Sequence, residues 1–301
     1  MDERAESGRS AAAVARALPS VVALRVFGRE KDAFGAGVVV RDDGLVLTAL
    51  HGVEGASAIA VTTSGGEEFP GKIVGRDRGA DLALVRILAP DRTFPRARLG
   101  GDDDLAVGET VLAISNPFGI GISATRGVVS ARERRNVVTD NVAPLLQTDA
   151  AINPGSSGGA LVDLDGNVVG LITAILTRTG GHQGVGFAVP SRELERALPA
   201  LIEGKPVHRP WLGVRVAPAA DGEGGLRVTT VVAGGPAARA GLLAGDRLLS
   251  LGRAGLATVE DLRRALGESA PGGLLEAEVE RSGERLLLEI APTNAVSPEK
   301  S

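Results

Sequence analysis

The chain has 301 residues, Lys+Arg 33 against Asp+Glu 37, a net charge of −4 and no cysteine. That length suits two domains, or one large β domain with a small companion. The lack of thiols excludes a disulfide framework, thiolate chemistry and a Cys-ligated zinc, and the near-balanced charge argues against nucleic acid or anionic lipid as the main partner.

The opening "MDERAESGRS" is charged, and the "AAAVARALPSVVAL" after it is interrupted by Arg16 and Pro19, so the start reads neither as a signal peptide nor as a membrane span. Either the chain works where it is made, or an export segment has been trimmed away. Residues 1–17 are set aside as an N-terminal tail. From residue 20 to about 190, short runs rich in valine and isoleucine recur: "VVALRVFG", "GAGVVVRDDGLVLTAL", "DLALVRIL", "TVLAIS", "GVVSA" and "LVDLDGNVVGLITAIL". Asp-Asp-Gly at 42–44 and Asp-Gly-Asn at 165–167 separate pairs of these runs, which predicts hairpins of a mainly β barrel or sandwich. "SRELERALPALIE" (191–203) is the first convincing helix after them, with Leu194, Leu198, Leu201 and Ile202 on one stripe, Ser191 placed as N-cap and Pro199 inside. "GKPVHRP" (204–210) reads as a linker. Beyond it, "WLGVRV", "GPAARAGL", "DRLLSLG", "TVEDLRRAL" and "LLEAEVERSGERLLLEI" alternate strand and helix, a second, small α/β domain over 211–293 with a short tail at 294–301.

The chemistry centres on "AINPGSSGGALV" (151–162). A serine hydroxyl is a poor nucleophile unless a base takes its proton, and the chain offers three histidines. His51 closes the apolar run "GLVLTALHGV", His182 lies in the glycine loop "TRTGGHQG" and His208 in the linker. A lone histidine at a strand end is often structural, and Asp81, entering "DLALVRIL", is by itself a common turn cap. Taken together, the order His51, Asp81, Ser157 is that of the chymotrypsin-like enzymes and differs from subtilisins and α/β-hydrolases. Ser157 is preferred to Ser156 because it places Gly155 two residues before the nucleophile, where a backbone N–H is needed for an oxyanion. With Ser156 as nucleophile that place falls to Pro154, which has no N–H. The residues 155–159 also satisfy the G-x-S-x-G of α/β-hydrolases, so the motif alone leaves both folds open.

The segments "LTALHGV", "DLALVRI", "AISNPFGIGISATRGVVSA", "LQTDAAINPGSSGGALVDLDGNVVGL" and "GVGFAVPS", with "WLGV" and "GGPAARAGLLAGDRLLSL" in the second half, resemble the HtrA (Deg-type) serine proteases, over roughly residues 18–292. The resemblance implies a two-barrel, chymotrypsin-like protease domain over 18–203 followed by a PDZ domain. Departures are Ser156 where asparagine is usual, Leu50-His51-Gly52 around the histidine, Gly252-Arg253 where Asn-Gly is usual, and only "GREKDA" after the first strand, which implies a simpler, regulatory-type member.

By that resemblance Ser157 is the nucleophile, His51 the base and Asp81 its orienting acid. Gly155, Ser157 and also Ser156 supply oxyanion N–H groups. The position that carries a specificity-setting carboxylate in trypsin-like pockets is Ala151, so an uncharged pocket of Ala151, Ile152, Asn153, Gly184, Val185, Gly186 and Phe187 should accept small aliphatic residues. Loops 131–145 and 174–186 would hold the site shut or open. Trp211, Leu212, Gly213 and Val214 would bind a terminal carboxylate, with unfolded or C-terminal peptide segments as partners. A homotrimer and a periplasmic or cell-envelope location are family expectations; no metal, cofactor or nucleic acid is expected. The competing reading is an idle peptide-binding adaptor on a protease fold.

Overall fold

The computed structural model describes residues 3–28, 32–102, 105–134, 143–175, 181–219, 224–267, 269 and 273–294. The chain forms two compact units that divide between Val207 and His208.

The first unit opens with helix α1 (Glu3–Ala17) and continues with β1 (Val21–Phe27), β2 (Ala33–Arg41), β3 (Leu45–Ala49), the single-turn helix α2 (Leu50–Val53), β4 (Ala58–Thr62), β5 (Glu68–Asp77) and β6 (Leu82–Ile87). These strands close a barrel in the order β1-β2-β3-β6-β5-β4. A second barrel follows from β7 (Thr110–Ser115), β8 (Ser123–Arg134), β9 (Leu145–Thr148), β10 (Ala160–Val162), β11 (Val168–Ile175) and β12 (Gly186–Pro190), in the order β10-β11-β12-β9-β8-β7. Closure leaves no open sheet edge. Every residue of β3 is buried, because one face fills its own barrel and the other meets the neighbouring barrel. Val46 and Val85 line the first interior with Leu24 and Val61. Leu47, Leu84 and Val38 face the other way and form one cluster with Ile114, Leu171 and Val189 of the second barrel. Truncating such a side chain costs about 2–5 kcal/mol, so the barrels are welded along this seam, and the cleft above it has a rigid bed.

Four elements differ from the sequence reading. β4 and β5 were not among the predicted strands, since "EEFPGKIVGRD" mixes charge, proline and glycine; β5 alternates exposed and partly buried positions along most of its length. Residues 3–17, read as a tail, form α1, whose Ala13 and Ala17 are buried and whose Arg16 donates to the Asp165 and Leu164 carbonyls at 2.8 and 3.0 Å. Helix α3 (Ser191–Ile202) forms as expected, but Ser191 is its first helical residue and not its N-cap. Asp102 caps it from across the fold, accepting from the Ser191 hydroxyl and from Arg192 N–H at 2.9 Å. Leu194 and Leu201 are buried with Ala197, whereas Ile202 of the predicted stripe is exposed.

The second unit contains β13 (Pro210–Trp211), β14 (Val214–Pro218), β15 (Leu226–Val231), the short helix α4 (Pro236–Arg239), β16 (Arg247–Leu251), β17 (Ala254–Gly255), helix α5 (Val259–Gly267), β18 (Leu275–Arg281), β19 (Glu284–Ile290) and β20 (Thr293–Asn294). Its sheet runs β14-β15-β16-β18-β19, with β17 on β16, over a core of Leu226, Val228, Leu248, Leu262, Val279 and Ile290. Thr258 and Asp261 cap α5 reciprocally: the Asp261 carboxylate accepts from Thr258 N–H at 2.8 Å, and Asp261 N–H donates to the Thr258 hydroxyl at 3.2 Å. Buried Asp246 accepts two bonds from Arg281, at 2.7 and 2.8 Å, which holds its carboxyl below the ordinary range.

Candidate active site

His51 sits in α2, where β3 ends, and Asp81 immediately precedes β6, the strand paired to β3. Asp81 has φ 55, a left-handed conformation that aspartate tolerates better than most residues. In that conformation its main chain and side chain both serve α2: Leu50 N–H donates to the Asp81 carbonyl and His51 N–H to Asp81 Oδ1, each at 2.9 Å. The other carboxylate oxygen, Oδ2, lies 2.6 Å from His51 Nδ1, and His51 Nε2 lies 3.1 Å from Ser157 Oγ. A carboxylate can only accept, so Nδ1 carries the proton and Nε2 presents its lone pair to the hydroxyl. Carboxylate, imidazole and hydroxyl thus form one hydrogen-bonded row across the two barrels. His182 and His208 take no part in it.

Thr173, 2% exposed on β11, was not anticipated. Its hydroxyl donates to Asp81 Oδ2 at 2.5 Å, and its carbonyl faces Ser157 Oγ at 3.3 Å. Inside the apolar run "VVGLITAIL" a threonine gives no sequence signal of such a role.

The turn that carries Ser157 is fixed to both barrels. Ala36 N–H of β2 donates to the Ser157 carbonyl at 2.9 Å, and Gly158 N–H donates to the Ile172 carbonyl at 2.7 Å. Gly158 has φ 83, and a Cβ there would run into the Ala36 carbonyl and the Thr48 hydroxyl, so this position requires glycine. Gly155 has φ 91, and a Cβ on it would stand 2.6 Å from the Asn116 carbonyl and 2.8 Å from Phe118 N. The Pro154 carbonyl accepts from Phe118 N–H at 2.7 Å. C=O and N–H of one trans peptide point opposite ways, so the Gly155 N–H is turned away from Phe118. Among the described residues, the N–H groups of Gly155 and Ser157 have no intramolecular partner.

Ser156 behaves differently from the expectation. Its N–H donates to the Asn153 carbonyl at 2.9 Å, closing the turn, so it is not a third oxyanion donor. Its side chain is buried, with Oγ 3.0 Å from Ser115 Oγ and accepting from Asn153 N–H at 3.2 Å. The expected pocket residues also divide. Ala151, Asn153, Gly184 and Val185 are at least partly accessible, whereas Ile152 and Phe187 are 3% and 2% exposed and belong to the packed cores. A Cβ on Gly186 would lie 2.6 Å from Ile152 Cδ1, so Ile152 packs directly against the Gly186 backbone. Of the loops expected to hold the site shut or open, 135–142 and 176–180 lie outside the described residues, as does 29–31 of "GREKDA".

In the second unit β14 is an edge strand of the sheet, beside α5. The Leu212 and Gly213 carbonyls are taken by Ala237 N–H at 2.9 Å and Val232 N–H at 2.8 Å. The N–H groups of the same two residues have no intramolecular partner among the described residues, while Trp211 and Val214 are strand residues paired to Thr293 and Val231.

Paired six-stranded barrels with this row at their junction define a trypsin-like fold, followed by a PDZ-like unit. The family model of the trypsin-like peptidase domain matches residues 35–171 and that of the PDZ domain residues 210–291. The chain is 39% identical over 272 residues to a probable periplasmic serine endoprotease, DegP-like, of Pseudomonas fulva (strain 12-X), covering 87% of this chain and 56% of the relative. The solved structure of the HtrA-type protease AlgW with tripeptide superposes with a TM-score of 0.77 at 36% identity, covering 96% of this chain and 98% of that one. AlgW with decapeptide gives 0.72 at 34% identity, covering 96% and 99%. The chain belongs to the HtrA-type protease family. It spans about half the length of the curated relatives it matches.

Proposed function

We propose that the chain is a serine endopeptidase that cleaves unfolded or signalling proteins after small aliphatic residues under the control of a peptide-binding PDZ unit. The observation that carries this reading is the Asp81–His51–Ser157 row, with its 2.6 and 3.1 Å separations. Ser157 Oγ attacks the scissile carbonyl while His51 Nε2 takes its proton. The oxyanion is received by the N–H groups of Gly155 and Ser157, and His51 then hands the proton to the leaving amine as the acyl-enzyme forms. Water repeats the cycle in reverse. Asp81 keeps Nδ1 protonated and stabilises the imidazolium.

With Ala151 where a carboxylate would select Lys or Arg, the uncharged pocket of Ala151, Asn153, Gly184 and Val185 suits Val or Ala. In the PDZ unit, Leu212 and Gly213 N–H groups receive a terminal carboxylate, and the β14 edge takes the peptide as an added strand. The bound peptides in the AlgW structures support peptide recognition by this architecture. On the resemblance, the domains run 18–203 and 211–293 and three copies assemble. The periplasmic relatives favour the cell envelope; among the described residues no helix is long and apolar enough to cross a membrane.

Casein degradation tests the reading. Ser157→Ala should lose about 10⁴-fold or more, whereas Ser156→Ala, which removes only a buried hydroxyl, should keep activity. Degradation that persists in Ser157→Ala would refute the assignment.

A further inference from the structure

His182 lies outside the row described above, yet its ring is held at both nitrogens. The β9–β12 ladder ends at the pair Thr148–Gly186. Beyond it the two chains separate, one running through 149–153 toward the nucleophile and the other back through 181–185, and together they provide the pocket residues. His182 spans that gap. Ile152 N–H donates to His182 Nδ1 at 3.4 Å, His182 Nε2 lies 3.1 Å from the Asp149 carbonyl, and His182 N–H donates to Asn153 Oδ1 at 3.2 Å.

We propose that His182 is a positioning residue for the pocket that receives the residue before the scissile bond: its neutral imidazole latches loop 181–185 to segment 149–153, and protonation opens the latch. This rests on the serine-protease reading. A backbone N–H has no lone pair, so Nδ1 must accept from Ile152; a carbonyl has no proton, so Nε2 must donate to Asp149. The ring is therefore fixed as the neutral Nε2–H form, the opposite tautomer to that of His51. A second proton on Nδ1 would set donor against donor at Ile152, next to Ala151 and Asn153. Asp149 is the one charged side chain on segment 149–153, and its Oδ1 accepts from Val128 N–H at 2.7 Å. The stretch of β8 that bonds this segment, through Thr125 and Val128, carries Arg126. Segment 181–185 carries no other titratable group.

The test compares pH profiles of kcat/KM on an uncharged peptide with Val before the scissile bond. In wild type, His51 and His182 must both be neutral, and the acid limb should fall more steeply than one decade per pH unit. In His182→Gln the amide oxygen accepts from Ile152 and the NH₂ donates to Asp149 without titrating; neutral-pH kcat/KM should stay near wild type and the limb relax to one decade per unit. His182→Leu should lose about tenfold or more at neutral pH, with the deficit against wild type shrinking in acid as the wild-type latch opens. Superimposable limbs for wild type and His182→Gln, or a His182→Leu enzyme within twofold of wild type, would overturn the proposal. A second readout needs no turnover: in the Ser157→Ala chain, ¹⁵N spectra should show His182 as the Nε2–H tautomer, with Ile152 amide protection lost as the ring protonates. An Nδ1–H tautomer there would sink the latch whatever the activity, whereas an inactive wild-type chain with the expected tautomer would count against the protease reading alone.

Discussion

Thr173→Val is the sharpest perturbation that the site allows, because it removes one hydroxyl and keeps the branched shape inside β11. Asp81 receives three bonds: His51 N–H on Oδ1 at 2.9 Å, and the His51 ring and the Thr173 hydroxyl on Oδ2 at 2.6 and 2.5 Å. A hydrogen bond to a charged group is worth about 1.5–3 kcal/mol, and each 1.36 kcal/mol is about tenfold in rate. The full value would correspond to roughly 10- to 150-fold. Part of it is already present in the resting enzyme, since the carboxylate is ionised before and after proton transfer, and only the part that grows as the imidazolium forms affects kcat. The expected loss is therefore about tenfold in kcat with KM little changed, and Thr173→Ser should restore most of it. A fluorogenic peptide assay with a thermal melt of each variant separates this from general destabilisation. A Thr173→Val enzyme within twofold of wild type in kcat, equally stable, would refute the idea that the third donor helps to hold the imidazole.

Asp81→Asn should lower kcat by about 10⁴-fold with the fold intact, because the amide favours the wrong tautomer; stopped-assay kinetics beside a circular dichroism spectrum will show it. Gly158→Ala should abolish activity and lower the melting temperature, since the methyl meets the Ala36 carbonyl and Thr48 hydroxyl at a left-handed φ. For the second unit, the carboxyl of Asp246 is held below its usual range, chiefly by hydrogen bonds from Arg281. Its contribution is complete above the unfolded carboxylate range, near pH 4, and is lost as pH falls through the lowered folded value. Arg281→Met should thus destabilise that unit at pH 7, by less than the loss of one partner of a fully buried pair because Arg281 is 33% exposed. Calorimetry should show that deficit shrinking in acid, and a pH-independent deficit would contradict the assignment.

The row itself was legible because each member stands in a short, distinctive setting: the end of an apolar run at His51, an apolar strand after Asp81, glycines around Ser157. What escaped was decided by distant partners. Thr173 looks like any β-branched residue of a buried strand until Asp81 is brought beside it from another barrel. Ser156 seemed a free donor because its bond to the Asn153 carbonyl is a property of the turn and not of its composition. Ile152 and Phe187 fell at pocket positions in the sequence, but Ile152 fills the second barrel's interior and Phe187 the seam between the barrels. The α1 helix was passed over because its stripe is made of small residues, Ala13 and Ala17, whose value lies in how closely they approach the second barrel.

The two bonds that hold the nucleophile turn, one to Ala36 and one to Ile172, come from separately closed barrels. On the proposed reading, a chain in which only one barrel has formed carries an inert alcohol and an idle imidazole. The proposed activity would thus arrive as a coincidence signal, switched on only once both barrels have closed and docked.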